Sequence, residues 1–328
     1  MNKKNWLVLV LVAALAITSF NSCKKDEEGD TETGPTEWTR STVFPEDPRN
    51  GASTFTINNV AYVVGGYLKT NEVLADNHAF NGSQWSTKAN FIGPARHSAV
   101  GFAVNGKGYV GLGFGGEGVG ELKDFYQYDP TANTWKKIAD FPGEARFGAV
   151  AFSIGNYGYV GLGATSTDKT FSDIYKYDPA ADKWTKDETT SFAFKKAYAY
   201  AFVINNVAYV GGGYSNNTAT DDFYKFDGTK WEKLGSLKTD SYDARRYNAS
   251  TFVIGNNGYV VAGRSASGLS GTVWKFSPSD NSWTEKHEPL PSAREKAVSF
   301  AIGDKGYIAT GSSGTSYFDD NWEFVPVR

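Results

Sequence analysis

Six cations recur along this 328-residue chain in a pattern that could build one binding site: Arg49, Arg96, Arg146, Lys196, Arg246 and Arg294. Each stands thirteen residues before a tyrosine, namely Tyr62, Tyr109, Tyr159, Tyr209, Tyr259 and Tyr307. Clustered Arg and Lys side chains are the usual means of holding a carboxylate. The residues just after the cations differ from copy to copy: Asn50, His97, Phe147, Ala197, Tyr247 and Glu295, then Gly51, Ser98, Gly148, Tyr198, Asn248 and Lys296. A mixture of cations, aromatics and amides suits a carboxylated glycan or an acidic peptide. The expected ligand-binding set is therefore the six cations with His97, Tyr198, Tyr247 and Glu295. A competing reading makes the repeated cations part of the scaffold, holding loop carbonyls or carboxylates such as Glu144 and Glu46.

Other chemistry is less well supplied. His78, His97 and His287 occupy unlike positions in different repeats, which argues against a zinc or copper cluster, so neither a metal nor a cofactor is expected. Gly113 to Gly118 matches G-x-G-x-x-G in form, but a loop follows it and no helix, so it is not a dinucleotide site. No Ser-His-Asp arrangement can be read. The formal net charge of −3 and pI near 5.7 give no general reason to bind nucleic acid or an anionic surface.

The elements that must carry these residues follow from the repeat. Seven residues before each tyrosine is a phenylalanine (Phe55, Phe102, Phe152, Phe202, Phe252, Phe300) and ten before it an alanine (Ala52, Ala99, Ala149, Ala199, Ala249, Ala297). Four after it is a glycine, from Gly66 to Gly311. Abundant Gly, Phe, Tyr and Trp point to many short strands and tight turns. Each unit reads as a four-stranded meander. Its first strand follows the cation, an Asn/Gly/Asp turn leads to the strand holding Tyr and Gly, and a third strand such as Phe125–Tyr128 precedes a fourth with a tryptophan (Trp85, Trp135, Trp184, Trp231, Trp283). Along the first strand, small residues (Ala149, Ala151, Ser153) alternate with bulky ones (Val150, Phe152, Ile154). A bulky face against a neighbour's small face suits a radial array.

Gly65-Gly66 and Gly212-Gly213 after hydrophobic runs, Tyr128-Asp-Pro130 and Tyr177-Asp-Pro179, and a tryptophan soon after resemble kelch repeats over about residues 37–328. The resemblance implies an all-β fold, a six-bladed propeller with four-stranded blades. The last unit lacks its fourth strand, while Trp38 precedes Arg49 by 11 residues as Trp85 precedes Arg96, so the N-terminal segment is expected to complete the last blade and close the ring. The resemblance puts the six cations at the mouth of the central channel, where similar arginines bind acidic motifs in kelch adaptors and carboxylated sugars in kelch mutarotases. A copper radical oxidase of this family needs a cysteine in the propeller, and this chain has none there.

The N-terminus carries an address. Lys3 and Lys4 precede an apolar stretch, Trp6 to Phe20, too short to span a bilayer and suited to a signal peptide. Ile17 to Cys23 resembles a bacterial lipobox, with Phe20 at a place that is usually aliphatic. The expectation is a signal peptide over 1–22, a lipid on Cys23, an acidic tether over 23–36 and a propeller over 37–328. The tether has no apolar residue after Cys23 and cannot bury anything. It also resembles the export signal of some surface lipoproteins.

The leading expectation is a non-catalytic outer-membrane lipoprotein, exposed on the cell surface or not, whose channel-mouth face binds a glycan or a protein partner. It is expected to be a monomer that touches the membrane through its lipid alone. The alternative is a mutarotase or epimerase acting on a carboxylated sugar, with Glu295, His97 and Glu144 beside Arg294, Arg96 and Arg146 supplying proton transfer and anchorage. A third reading is a subunit of a larger envelope assembly.

Overall fold

Alternating bulky and small residues, interrupted by Asn and Gly at short intervals, leave each unit one stable arrangement: short antiparallel strands burying their bulky face. The computed structural model describes residues 37–190 and 192–327, and no helix occurs among them. The signal peptide, Cys23 and the tether expected over 1–36 lie outside the described residues.

Six blade sheets follow one another in chain order, five of four strands and the first of five, because the short strand Arg49–Asn50 also pairs with Val60–Leu68. In the third, Val150–Ile154 is innermost, then Tyr157–Gly161, Ile174–Asp178 and Lys183–Lys186 at the outside, every pair antiparallel. The other blades repeat this order, and a six-bladed β-propeller results. Turns such as Asn58-Asn59 and Asn205-Asn206 have positive φ at both residues, which matches the twist of a two-residue hairpin.

The ring closes as the sequence predicts. Strand Trp38–Arg40 pairs antiparallel with Asn321–Phe324, with Trp38 opposite Phe324 and Arg40 opposite Trp322. The first strand in the chain is thus the outer strand of the sixth blade, and that sheet is completed.

Blades pack bulky face to small face. Phe102 of the second blade lies so close to Gly158 of the third that a Cβ there would stand 2.2 Å from its ring. Phe55 meets Gly108, Phe202 meets Gly258 and Phe252 meets Gly306 in the same way. The residue before the repeated tyrosine is therefore small because the preceding blade's phenylalanine fills its place. Outer-strand tryptophans tie the rim together. The indole N–H of Trp135 donates to the Ala89 carbonyl at 3.0 Å and that of Trp184 to the Ala139 carbonyl at 3.0 Å, each in the preceding blade's exit loop.

Candidate functional site

The six cations lie at the junctions between blades. All are buried, between 0% and 5% exposed. Each arginine of four blades donates its Nε–H to the carbonyl two residues before it (Asp47, Pro94, Glu144, Ser292). Its Nη1 reaches the carbonyl sixteen residues on (Gly65, Leu112, Leu162, Thr310). An aspartate completes the set: Asp76 for Arg49, Asp124 for Arg96, Asp173 for Arg146 and Asp320 for Arg294. Lys196 pairs with Asp222 at 2.6 Å, both fully buried. The guanidinium thus joins the entry loop, the end of the second strand and the start of the third. Burying such a charge is tolerable only with this full set of partners.

The backbone of each cation has a second task. Its carbonyl accepts the N–H of the repeated glycine in the preceding blade, as Arg96 does from Gly66 and Arg146 from Gly113, both at 2.9 Å. That glycine has a φ near +98° in Gly66 and +96° in Gly113, which explains why the position after the second strand is always glycine.

The expectation that Arg49, Arg96, Arg146, Lys196, Arg246 and Arg294 ring the channel mouth therefore meets a different geometry. The mouth is lined instead by the residues two and three places further on, around a cavity of about 130 Å³. Ala52, Ala99, Ala149, Ala199, Ala249 and Ala297 form its neck. Above the neck runs a closed circle of backbone hydrogen bonds. Ser98 N–H donates to Gly51, Gly148 to Ser98, Tyr198 to Gly148, Asn248 to Tyr198, Lys296 to Asn248 and Gly51 to Lys296, at 2.7–3.1 Å. All six have φ between +52° and +65°. That conformation is strained for Tyr198 and Lys296, and local strain of this kind gathers at functional sites.

The copy-specific side chains stand around this circle. Lys296 Nζ lies 5.6 Å from the Tyr198 ring centroid, so residues of the fourth and sixth blades reach toward each other over the opening. Tyr198 packs against Gly148 and stands 6.2 Å from Phe147. Burial, with Tyr67 and Glu295 nearby, pushes its hydroxyl up to about 12. His97 is sandwiched by Tyr67 at 4.6 Å and Phe114 at 5.6 Å, and its Nδ1 is 3.0 Å from the Ser98 hydroxyl. Burial and then the Lys296 charge push His97 down to about 4, so it is neutral at physiological pH. Glu295 accepts from Arg264 Nε and from Asn248 Nδ2, each at 2.8 Å. Tyr247 packs against Tyr214 in a tilted arrangement at 4.9 Å, and Tyr67 meets Tyr317 edge-on at 5.9 Å.

Two grooves leave the mouth face. One of about 350 Å³ passes Phe147, Thr165, Asp168, Tyr198, Tyr214 and Asn217. Another of about 490 Å³ lies by Asp47, Leu68, Lys69, Thr315 and Tyr317.

The structure places Tyr198 in the lining of the mouth, sets His97, Tyr247 and Glu295 one position before the circle in their blades, and removes the six cations to the blade junctions. Glu144 is bound to Lys169 on the surface and serves Arg146 only through its carbonyl. His78 is buried against Asp76 at 3.0 Å, and His287 sits 2.8 Å from Glu37 near the ring closure. Tyr242 packs on its own loop, donating to the Ser236 carbonyl. Sequence reasoning missed the cation-binding aspartates, although they recur 26–28 residues after the cations. It also missed Arg264 and the roles of Tyr67 and Tyr317, for which loop residues of varying length give no periodic signal. Among the described residues no group of three or more His, Cys, Asp or Glu is arranged to hold a metal.

A family model for the KLHDC2/KLHL20/DRC7 Kelch-repeats domain matches residues 148–328. No match is found among curated proteins. Among solved structures, that of YjhT superposes with a TM-score of 0.72 at 18% identity, covering 85% of this chain and 96% of that one. At that identity the likeness is one of fold.

Proposed function

The chain belongs to the kelch-repeat family of β-propellers, and from that premise we propose that its channel-mouth face binds an acidic glycan in the bacterial cell envelope. The observation that carries this reading is the gathering of copy-specific side chains on a rigid backbone circle. Lys296 offers a cation for a carboxylate, beside the Tyr198 face. Tyr67, Tyr198 and Tyr317 offer flat apolar surface with hydroxyls, which suits a sugar ring. Neutral His97 and the Ser98 hydroxyl add hydrogen bonds. The buried arginines take no part in contact with ligand.

The test is calorimetry with sialic and uronic acids against neutral sugars, using Lys296→Asn. Asparagine tolerates the left-handed backbone of this position, so the variant loses the charge and keeps the circle. The expected result is binding of an acidic sugar that falls at least tenfold in Lys296→Asn with the melting temperature unchanged. Equal affinity in both proteins, or no binding of any sugar, sinks this reading.

A second reading, a mutarotase of carboxylated sugars, is favoured by one observation: the neutral imidazole of His97, a group able to relay protons, stands near the Lys296 cation, which can anchor a carboxylate. Anomer exchange followed by NMR separates it from simple binding. The buried arginines are not available as its anchors.

The same proposal places the chain at a membrane through Cys23. In cells, Cys23→Ala is expected to move the protein from the membrane to the soluble fraction and to abolish palmitate labelling. Unchanged fractionation of the variant excludes the lipid anchor.

A further inference from the structure

One blade breaks the rule by which the buried cations are neutralised. Five blades place an aspartate 26–28 residues after the cation, while the fifth places Thr272 there, 26 residues after Arg246. The sixth blade shows what that aspartate does. Asp320 accepts from Arg294 Nη2 at 2.9 Å and from the indole of Trp322 at 2.7 Å, so one carboxylate serves a guanidinium and a tryptophan N–H.

The fifth blade keeps the two donors and has no carboxylate at this place. Arg246 and Trp274 are each 5% exposed. Arg246 Nη2 reaches only the uncharged Thr272 hydroxyl, at 2.6 Å. Arg246 Nε and Trp274 Nε1 are buried with no acceptor among the described residues. The carboxylate on the same loop, Asp243, is held by Arg245 at 2.7 and 2.9 Å. A guanidinium this deeply buried with no carboxylate in contact, Asp243 and Glu285 acting on it only through space, is costly, and so are donors left unsatisfied. A water would satisfy the donors and bring no negative charge into contact with the guanidinium.

We propose that a small monovalent anion of chloride size binds between Arg246, Thr272 and Trp274, and does in the fifth blade what aspartate does in the others. It accepts the Trp274 indole N–H and neutralises the Arg246 guanidinium. The site lies at the junction of the fourth and fifth blades, beside the buried Tyr200 hydroxyl, which also lacks a partner among the described residues. It is separate from the channel mouth and does not depend on the glycan reading.

The full chain is melted in chloride and in a bulky organic anion at constant ionic strength. The melting temperature is expected to rise by about 2–4 °C over a hundredfold increase in chloride. Thr272→Asp supplies the missing carboxylate, and is expected to melt at or above the chloride-saturated value with no further response. Trp274→Phe removes one donor and is expected to shift the chloride midpoint upward about tenfold. A crystal of the unaltered protein grown in bromide is expected to show an anomalous peak in hydrogen-bond reach of Trp274 Nε1. A melting temperature indifferent to chloride, a response retained in Thr272→Asp, or a water in place of the bromide peak overturns the proposal.

Discussion

Asp76, Asp124 and Asp320 show how a buried cation writes itself into the pH dependence of the fold. Burial alone would raise each carboxyl, but the hydrogen bonds and charge of Arg49, Arg96 and Arg294, with His78, Tyr126 and Trp322 as further donors, hold all three below the ordinary aspartate value of 3.8. A carboxyl lowered in the native state binds fewer protons there than in the unfolded chain, so the unfolded state gains on acidification. The stabilisation from these pairs is full above about pH 4 to 5 and is lost as the pH falls through the native values. Urea unfolding between pH 6 and 2 should show this as a steep loss of stability. Asp320→Asn removes one titrating group, so it should be less stable at pH 6 by about 3–5 kcal/mol, the cost of stranding one partner of a buried pair. Its pH profile should be flatter than that of the unaltered protein. Parallel profiles would mean that this pair does not drive acid unfolding.

At the scale of the strand and loop, the split between what was legible and what was not has a physical basis. Positions such as Phe102, Tyr109 and Gly113 recur because every blade meets the same neighbour, and repetition makes them readable from one sequence. The cations recur for the same reason, and that regularity marked them as candidates while signalling a scaffold role. A residue needed identically by all six blades answers to the blade junction, whereas a ligand meets the ring from one side and asks different things of each blade. Lys296, Tyr198 and His97 break the repeat and stand together at the mouth. Arg264 and Tyr317 come from loops between the second and third strands, whose lengths differ, so only the folded ring brings them beside Glu295 and Tyr67. Thr272 is the informative exception. It sits in a register that is otherwise aspartate, and that register is defined by the ion pairs with the buried cations.

For the whole molecule the decisive contact is the closure, where one short strand holds the ring together without a covalent link. Trp38 is 4% exposed and its indole donates to the Glu288 carbonyl at 2.9 Å. The Glu37 carboxylate accepts the Glu288 and Val327 N–H groups at 2.8 and 2.9 Å and stands 2.8 Å from His287. Both ends of the propeller therefore converge on Glu37. Deleting residues 37–40 strips the outer strand from the sixth blade, bares the edge of Asn321–Phe324 and empties the space of a buried tryptophan, a loss of about 3–5 kcal/mol for the side chain alone. Such a chain should melt at a markedly lower temperature and associate through the open edge, as light scattering would show. A circular permutant that joins Val327 to Glu37 through a short Gly/Ser linker, with new ends between the exposed Ala180 and Ala181, keeps every closure contact and moves only the covalent gap. It should keep the association state of the unaltered protein and melt close to it. If the permutant is as unstable as the deletion, covalent order along the chain governs stability, and the closure strand does not hold the ring in the way its contacts imply.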